Sequence, residues 1–238
     1  LPGPPAVPLE PLPPAAPPLP PVRRAPAVDL QLDEGHDRAG GVAQLLDEEG
    51  GLTVHDRAGD GATPLHWASY YGSVASIRCL GSNGADANAA RTADGARPLH
   101  VAAGAGRRSA LRALVRELSA SVEARDGRGR TAMHWACRAG DVAALLCLCT
   151  ELGANVDARD ERGATPLMLA ARQGHDAACR SLVDDLGADC NLTDEDGATA
   201  THHAAAHGHG HASPRRAGAR RGRCASCRRA GACASTLA

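Results

Sequence analysis

Two series of residues recur along the chain at one fixed step. Thr63, Arg97, Thr131, Thr165 and Thr199 begin five similar segments, each 34 residues after the last, and Gly72, Gly106, Gly140, Gly174 and Gly208 repeat in phase nine positions further on. Chance does not produce two phased series, and a period of about 20 to 50 residues marks a solenoid, whose units cannot bury their own apolar face and must stack on neighbours. Composition points the same way. The 238 residues include no Phe, two Trp and two Tyr, and Lys is absent, so that all 26 basic residues are Arg. This excludes a bulky aromatic core. With 27 Gly and 16 Pro in a chain that is 43% hydrophobic, the core must come from Ala, Leu and Val in small units punctuated by turns.

The best copies, Gly61-Ala62-Thr63-Pro64-Leu65-His66-Trp67-Ala68 and Gly163-Ala164-Thr165-Pro166-Leu167-Met168-Leu169-Ala170, show how a unit works. Thr caps a helix and Pro occupies its first position, where the missing N–H costs nothing. The periodic Gly ends this short helix, and a second apolar stretch follows, such as Val142-Ala143-Ala144-Leu145-Leu146. Two antiparallel helices are predicted, with small Ala for close approach and Leu along the seam. Gly153-Ala154 and Gly187-Ala188 supply a left-handed cap, and an extended stretch with another turn, such as Asp157 to Gly163, projects as a finger toward the next unit. The recurring His66, His100, His134 and His202 carry one structural duty per unit, hydrogen bonding turn backbone and the neighbouring loop.

The G-x-T-P-L-H-x-A opening, the mid-unit Gly and the Gly-Ala-Asp closing resemble ankyrin repeats over residues 30 to 210. The resemblance implies an all-α ankyrin-repeat solenoid with projecting β-hairpin fingers. The expected organisation is a Pro-rich arm over 1–28, a degenerate N-terminal unit over 29–58, and repeats over 59–92, 93–126, 127–160 and 161–193. A partial fifth repeat over 194–211 and an Arg-rich tail over 212–238 complete it. Two departures mark the second repeat as the soft one. Arg97 replaces the capping Thr, a loss of about 1 kcal/mol, and Ser119 stands where Gly is expected, at about 1 to 2 kcal/mol in the left-handed region.

The ends carry different signals. The first 28 residues hold 12 of the 16 prolines, and Pro18-Leu19-Pro20-Pro21-Val22-Arg23 fits a polyproline ligand for a Src-homology-3-type domain, although a plain spacer is the simpler reading. From Ala212 to Thr236 there is no Val, Ile, Leu, Met or aromatic residue, so a second helix there has nothing to bury. That tail reads like a shifted reading frame or a retained intron, and a first residue that is Leu rather than Met suggests a fragment. Without interleaved aromatics its arginines would bind nucleic acid only unspecifically. Cys224, Cys227 and Cys233 with His202, His203, His207, His209 and His211 form a weak zinc pattern, one C-x-x-C without a matched partner. No metal or cofactor is expected. The remaining cysteines sit among Ala and Leu and are read as reduced, in an intracellular protein, cytoplasmic or nuclear, without a membrane span or signal peptide.

No nucleophile, phosphate loop or paired carboxylate stands in a catalytic context, so the chain is read as a non-catalytic adaptor. The alternative is a regulatory or targeting segment of a larger enzyme. The family resemblance implies a partner protein held on the concave side, by finger tips at Arg128, Arg130, Glu161, Arg162, Glu195 and Asp196. It adds the ends of the first helices at Tyr70, Tyr71, Arg138, Arg172, Gln173 and His207. The tyrosine rings either lie near the groove or pack against Trp67. Net charge alternates in blocks, −7 over 29–60, +1 over 61–93, +5 over 94–140 and −8 over 141–199, which suits orientation of a charged partner.

Overall fold

In the computed structural model, residues 53–209 are described. The polyproline motif, most of the degenerate N-terminal unit and the chain beyond His209, including the cysteines of the zinc pattern, lie outside them. The helices come in pairs. The first repeat contributes α1 (Pro64–Tyr71) and α2 (Val74–Ser82), the second α3 (Pro98–Gly104) and α4 (Arg108–Arg116). The third contributes α5 (Ala132–Ala139) and α6 (Val142–Leu146), continued by a π-helical turn over Cys147–Glu151. The fourth contributes α7 (Pro166–Gln173) and α8 (Asp176–Arg180), continued likewise over Ser181–Asp185, and the fifth contributes α9 (Ala200–Ala206).

The inner helices α1, α3, α5, α7 and α9 stack side by side, and the outer helices lean on them from behind. Alanines at the inner contacts, among them Ala102, Ala103, Ala136, Ala170 and Ala171, are fully buried and let the backbones approach closely. The outer helices provide the larger apolar groups: Ile77, Leu80, Leu111, Leu114, Leu145, Leu148 and Leu182 are sealed from solvent. Each fully buried aliphatic side chain stabilises by roughly 1.5 to 3 kcal/mol, so the seam is the main cohesive term.

The periodic residues act as expected. Gly140 ends α5 with φ of 74°, and a Cβ there would stand 2.7 Å from the His175 ring of the following repeat. Glycine is required on both counts. The imidazoles clip repeats together: His66 Nδ1 accepts the Thr63 N–H at 3.1 Å, and Nε2 donates to the Ala96 carbonyl of the next finger at 3.1 Å. His134 does the same between the Thr131 N–H at 3.1 Å and the Ala164 carbonyl at 3.1 Å. These partners fix the neutral Nε2–H tautomer. Burial lowers the pKa of both His66 and His134 to about 4, and that of His100 also falls.

The second repeat shows how its departures are absorbed. Arg97 offers no capping hydroxyl, yet its N–H still reaches His100 Nδ1 at 3.0 Å, so half of the cap survives. Ser119 does adopt φ of 56°, alone among the described non-glycine residues. The fingers differ from the expected β-hairpins: among the described residues there is no strand. Each is a tight turn closed within itself by two backbone bonds, such as Asp160 N–H to Ala164 O and Gly163 N–H to Asp160 O, both 3.0 Å. Single bonds also tie finger to finger, Glu161 N–H to Arg128 O and Glu195 N–H to Arg162 O, both 3.1 Å. The turns are too short, and successive fingers are too sparsely linked, for a ladder.

Candidate functional site

One carboxylate register organises the concave side. Asp126, Asp160 and Asp194 stand 34 residues apart at the base of three fingers. In each, Oδ1 accepts two backbone N–H groups of its own turn: those of Arg128 and Arg130, both at 2.9 Å, of Arg162 at 2.9 Å and Ala164 at 2.8 Å, and of Asp196 at 3.1 Å and Ala198 at 2.8 Å. The second oxygen is used differently in each repeat. Asp126 Oδ2 accepts from the Trp135 indole and the Arg130 guanidinium, both at 2.9 Å, while the guanidinium lies 5.3 Å from the Trp135 ring centroid. Burial works to raise the pKa of Asp126, but the Arg128 N–H, the indole and Arg130 outweigh it and hold the carboxyl below its usual range. Asp194 Oδ2 instead meets His203 Nε2 at 2.7 Å. His203 and Trp135 occupy the same register, as does Leu169, which gives Asp160 no polar group.

Trp135 can lie where it does because of the repeat before it. A Cβ on Gly104 would come within 3.0 Å of Trp135 Cε3. Leu169 has Arg138 at the corresponding place and leaves the surface open.

Between the fingers and inner helices of repeats three to five runs a groove of about 500 Å³. It is lined by Arg128, Arg130, Arg138, Asp160, Glu161, Arg162, Arg172, Asp194, Glu195, Asp196 and His203, with Ala164 and Leu169 as its apolar members. Eight residues singled out in the sequence thus face one space: Arg128, Arg130, Arg138, Glu161, Arg162, Arg172, Glu195 and Asp196. Their exposure differs. Arg128, Glu161, Arg162, Glu195 and Asp196 are exposed, and Arg172 is half-buried, whereas Arg130 and Arg138 are only 7% and 8% exposed and frame the groove from within. Arg130 is therefore no finger tip: Asp126 and Trp135 draw its side chain inward.

Gln173 and His207 are half-buried and lie outside that groove; burial, with Arg172 next, lowers the pKa of His207. Tyr70 and Tyr71 sit two repeats away. Their rings meet edge to face with centroids 5.3 Å apart, Tyr70 half-buried and Tyr71 53% exposed. By register Tyr70 takes the place on α1 that Arg138 and Arg172 take on α5 and α7. Sequence reading passed over Asp160 and Asp194, because their turn roles account for them, and took His203 only as part of the weak zinc pattern; comparing residues 135, 169 and 203 would have exposed the shared register.

Among the described residues, no group of three or more His, Cys, Asp or Glu is placed to hold a metal ion, and no helix is long and apolar enough to cross a membrane. A search of curated proteins finds no match. A family model described as ankyrin repeats (3 copies) matches residues 34–126, 84–160, 113–194 and 148–213. Those matches jointly span residues 34–213 and take in all of the described stretch, 53–209, in which the helix pairs, histidine clips and fingers recur; the chain belongs to the ankyrin-repeat family.

Proposed function

We propose that this chain is a non-catalytic adaptor or scaffold that holds a partner protein on its concave surface. Ankyrin repeats generally mediate protein–protein interaction. The observation that supports the concave face is the convergence of eight charged side chains from three fingers and two inner helices on one groove. On this reading, Arg128, Glu161, Arg162, Glu195 and Asp196 make contact at the fingers and Arg172 at the floor, while Arg130 and Arg138 shape the wall. Tyr70 and Tyr71 add an aromatic contact at the other end, a residue type that often anchors interfaces. All six described cysteines are free thiols, which suits a reducing compartment and supports placing the protein inside the cell.

The test uses a partner recovered by affinity purification. Cross-linking followed by mass spectrometry should place it against the fingers and inner helices, and Arg128→Glu with Arg162→Glu should weaken it about tenfold with an unchanged circular dichroism spectrum. Cross-links confined to the outer helices α2, α4, α6 and α8 would overturn the proposal.

A further inference from the structure

Every finger uses one Asp to fix the backbone N–H just before its helix cap. Asp60 holds Ala62, Asp94 holds Ala96, Asp126 holds Arg130, Asp160 holds Ala164 and Asp194 holds Ala198, all through Oδ1 at 2.8 to 3.0 Å. The first two stand two residues later in their units and do the same work. In four of the five, Oδ2 also meets a basic side chain of the same molecule. Arg91 lies 3.6 Å from Asp60 and 2.6 Å from Asp94, Arg130 lies 2.9 Å from Asp126, and His203 lies 2.7 Å from Asp194. Asp160 is the exception: its Oδ2 takes no hydrogen bond and no ion pair among the described residues.

The vacancy follows from the residues around it. Ala164 and Leu169 stand where the third repeat has Arg130 and Trp135, and neither offers a donor. Arg162, on the same finger, gives Asp160 only its backbone N–H. Arg128, Arg138 and Arg172 share the groove, but each has an interaction of its own. The carboxylate is half-buried and faces the groove, with exposed Glu161 beside it and exposed Glu195 and Asp196 on the next finger adding negative charge. A partly desolvated carboxylate with an unused oxygen favours a charged donor, and such hydrogen bonds are roughly twice as strong as neutral ones. The third repeat shows which donor fits: Nε and Nη2 of Arg130 both reach Asp126 Oδ2 at 2.9 Å. A guanidinium can aim two N–H groups at one oxygen in that way, whereas an ammonium presents a point charge. Leu169 supplies apolar surface for the methylene stem. Resting on the proposed concave-face reading, we infer that Asp160 is a specificity-determining subsite that receives an arginine side chain of the partner protein. The guanidinium repeats on Asp160 Oδ2 the contact that Arg130 makes on Asp126, so the partner supplies in trans what the third repeat holds in cis.

The experiment titrates the full chain with labelled Gly/Ser peptides that carry flanking lysines and differ only at a central residue: Arg, Lys, or citrulline, the neutral isostere of Arg. Fluorescence anisotropy at low salt should show the Arg peptide binding about tenfold more tightly than the citrulline peptide, with the Lys peptide between them. Asp160→Asn keeps the Oδ1 acceptor of the turn but puts an amide NH2 in place of Oδ2, and should abolish the preference while the circular dichroism spectrum is retained. Ala164→Arg places a guanidinium at the Arg130 register, and should fill the subsite from within and abolish the preference too. Glu161→Gln removes a neighbouring exposed charge, and should weaken all three peptides while the preference stays. No binding of the Arg peptide, equal affinity of the Arg and citrulline peptides for the parent chain, a preference that survives Asp160→Asn, or one that Glu161→Gln removes equally well overturns the subsite. A natural partner that cross-links to the fingers and inner helices but is indifferent to Asp160→Asn would remove this inference and leave the concave-face reading standing. An Asp160-dependent preference, with natural cross-links confined to the outer helices, would remove that reading and leave the arginine subsite.

Discussion

The third and fourth repeats share a backbone and differ in what they do with it. Both begin their finger with an Asp whose Oδ1 secures the turn through two N–H groups at 2.8 to 2.9 Å. In the third, Trp135 and Arg130 close over Oδ2; in the fourth, Leu169 and Ala164 stand at those registers and Asp160 lines the groove. The comparison separates two duties within one carboxylate. One oxygen builds the finger, and the other is available either to the interior or to a partner.

The largest effect should come from removing only the second duty. Asn keeps an Oδ1 acceptor for the turn, so Asp160→Asn should change stability by no more than about 0.5 kcal/mol, as surface substitutions do. Asp126→Asn removes the carboxylate charge that buried Arg130 meets at 2.9 Å and should cost about 3 to 5 kcal/mol, read from urea denaturation. Equal costs at the two positions would break the comparison.

The two repeats differ next in their response to acid. His134 is buried with its pKa lowered to about 4, whereas Met168 holds the same register in the fourth repeat, its Sδ 3.4 Å from the Thr165 N–H. The unfolded chain binds a proton near pH 6.5 and the folded imidazole does not, so this contribution is complete above about pH 6.5 and declines as pH falls toward about 4. Between pH 7 and 5 the loss is about 2 kcal/mol for this one histidine. His134→Met should therefore lose about 2 kcal/mol less over that interval than the parent protein, measured from denaturation midpoints at the two pH values. An identical pH dependence would show that His134 is not held neutral.

The smallest expected effect runs in the opposite direction. Met168→His should supply the clip that the fourth repeat lacks, from the Thr165 N–H to the Ala198 carbonyl. The gain should be about 0.5 to 1.5 kcal/mol at pH 7, and it should disappear by pH 5. A variant no more stable than the parent at pH 7 would show that the thioether packs as usefully as the imidazole bonds.

Much of this architecture is legible in the sequence because its determinants are local. Thr131, the Gly140 cap and the buried Leu145 and Leu148 each announce their role within a few residues, and a strict period repeats the message. The histidine clip is readable for the same reason: a residue needed in every unit for one bond recurs with the unit. The groove is harder to read, because its properties are set by combinations that the period does not contain. Arg130 looks like a finger-tip residue until Trp135, five positions on, draws it inward. Asp160 looks purely structural until Leu169 fails to cover it. The fingers read as hairpins because an extended stretch with a turn also describes a ladder, and only the backbone shows that the bonding stops at the tight turn itself.

Gly104 carries a last consequence. Its missing side chain makes the berth for Trp135, so the third unit is built to sit on the second and on no other. Excising the 34 residues of the second unit would slide the α1 position of Tyr70 under that indole, replacing an open berth with a phenol ring. The modules look interchangeable when aligned, but they are keyed to their neighbours, and shuffling them would jam the stack at that joint.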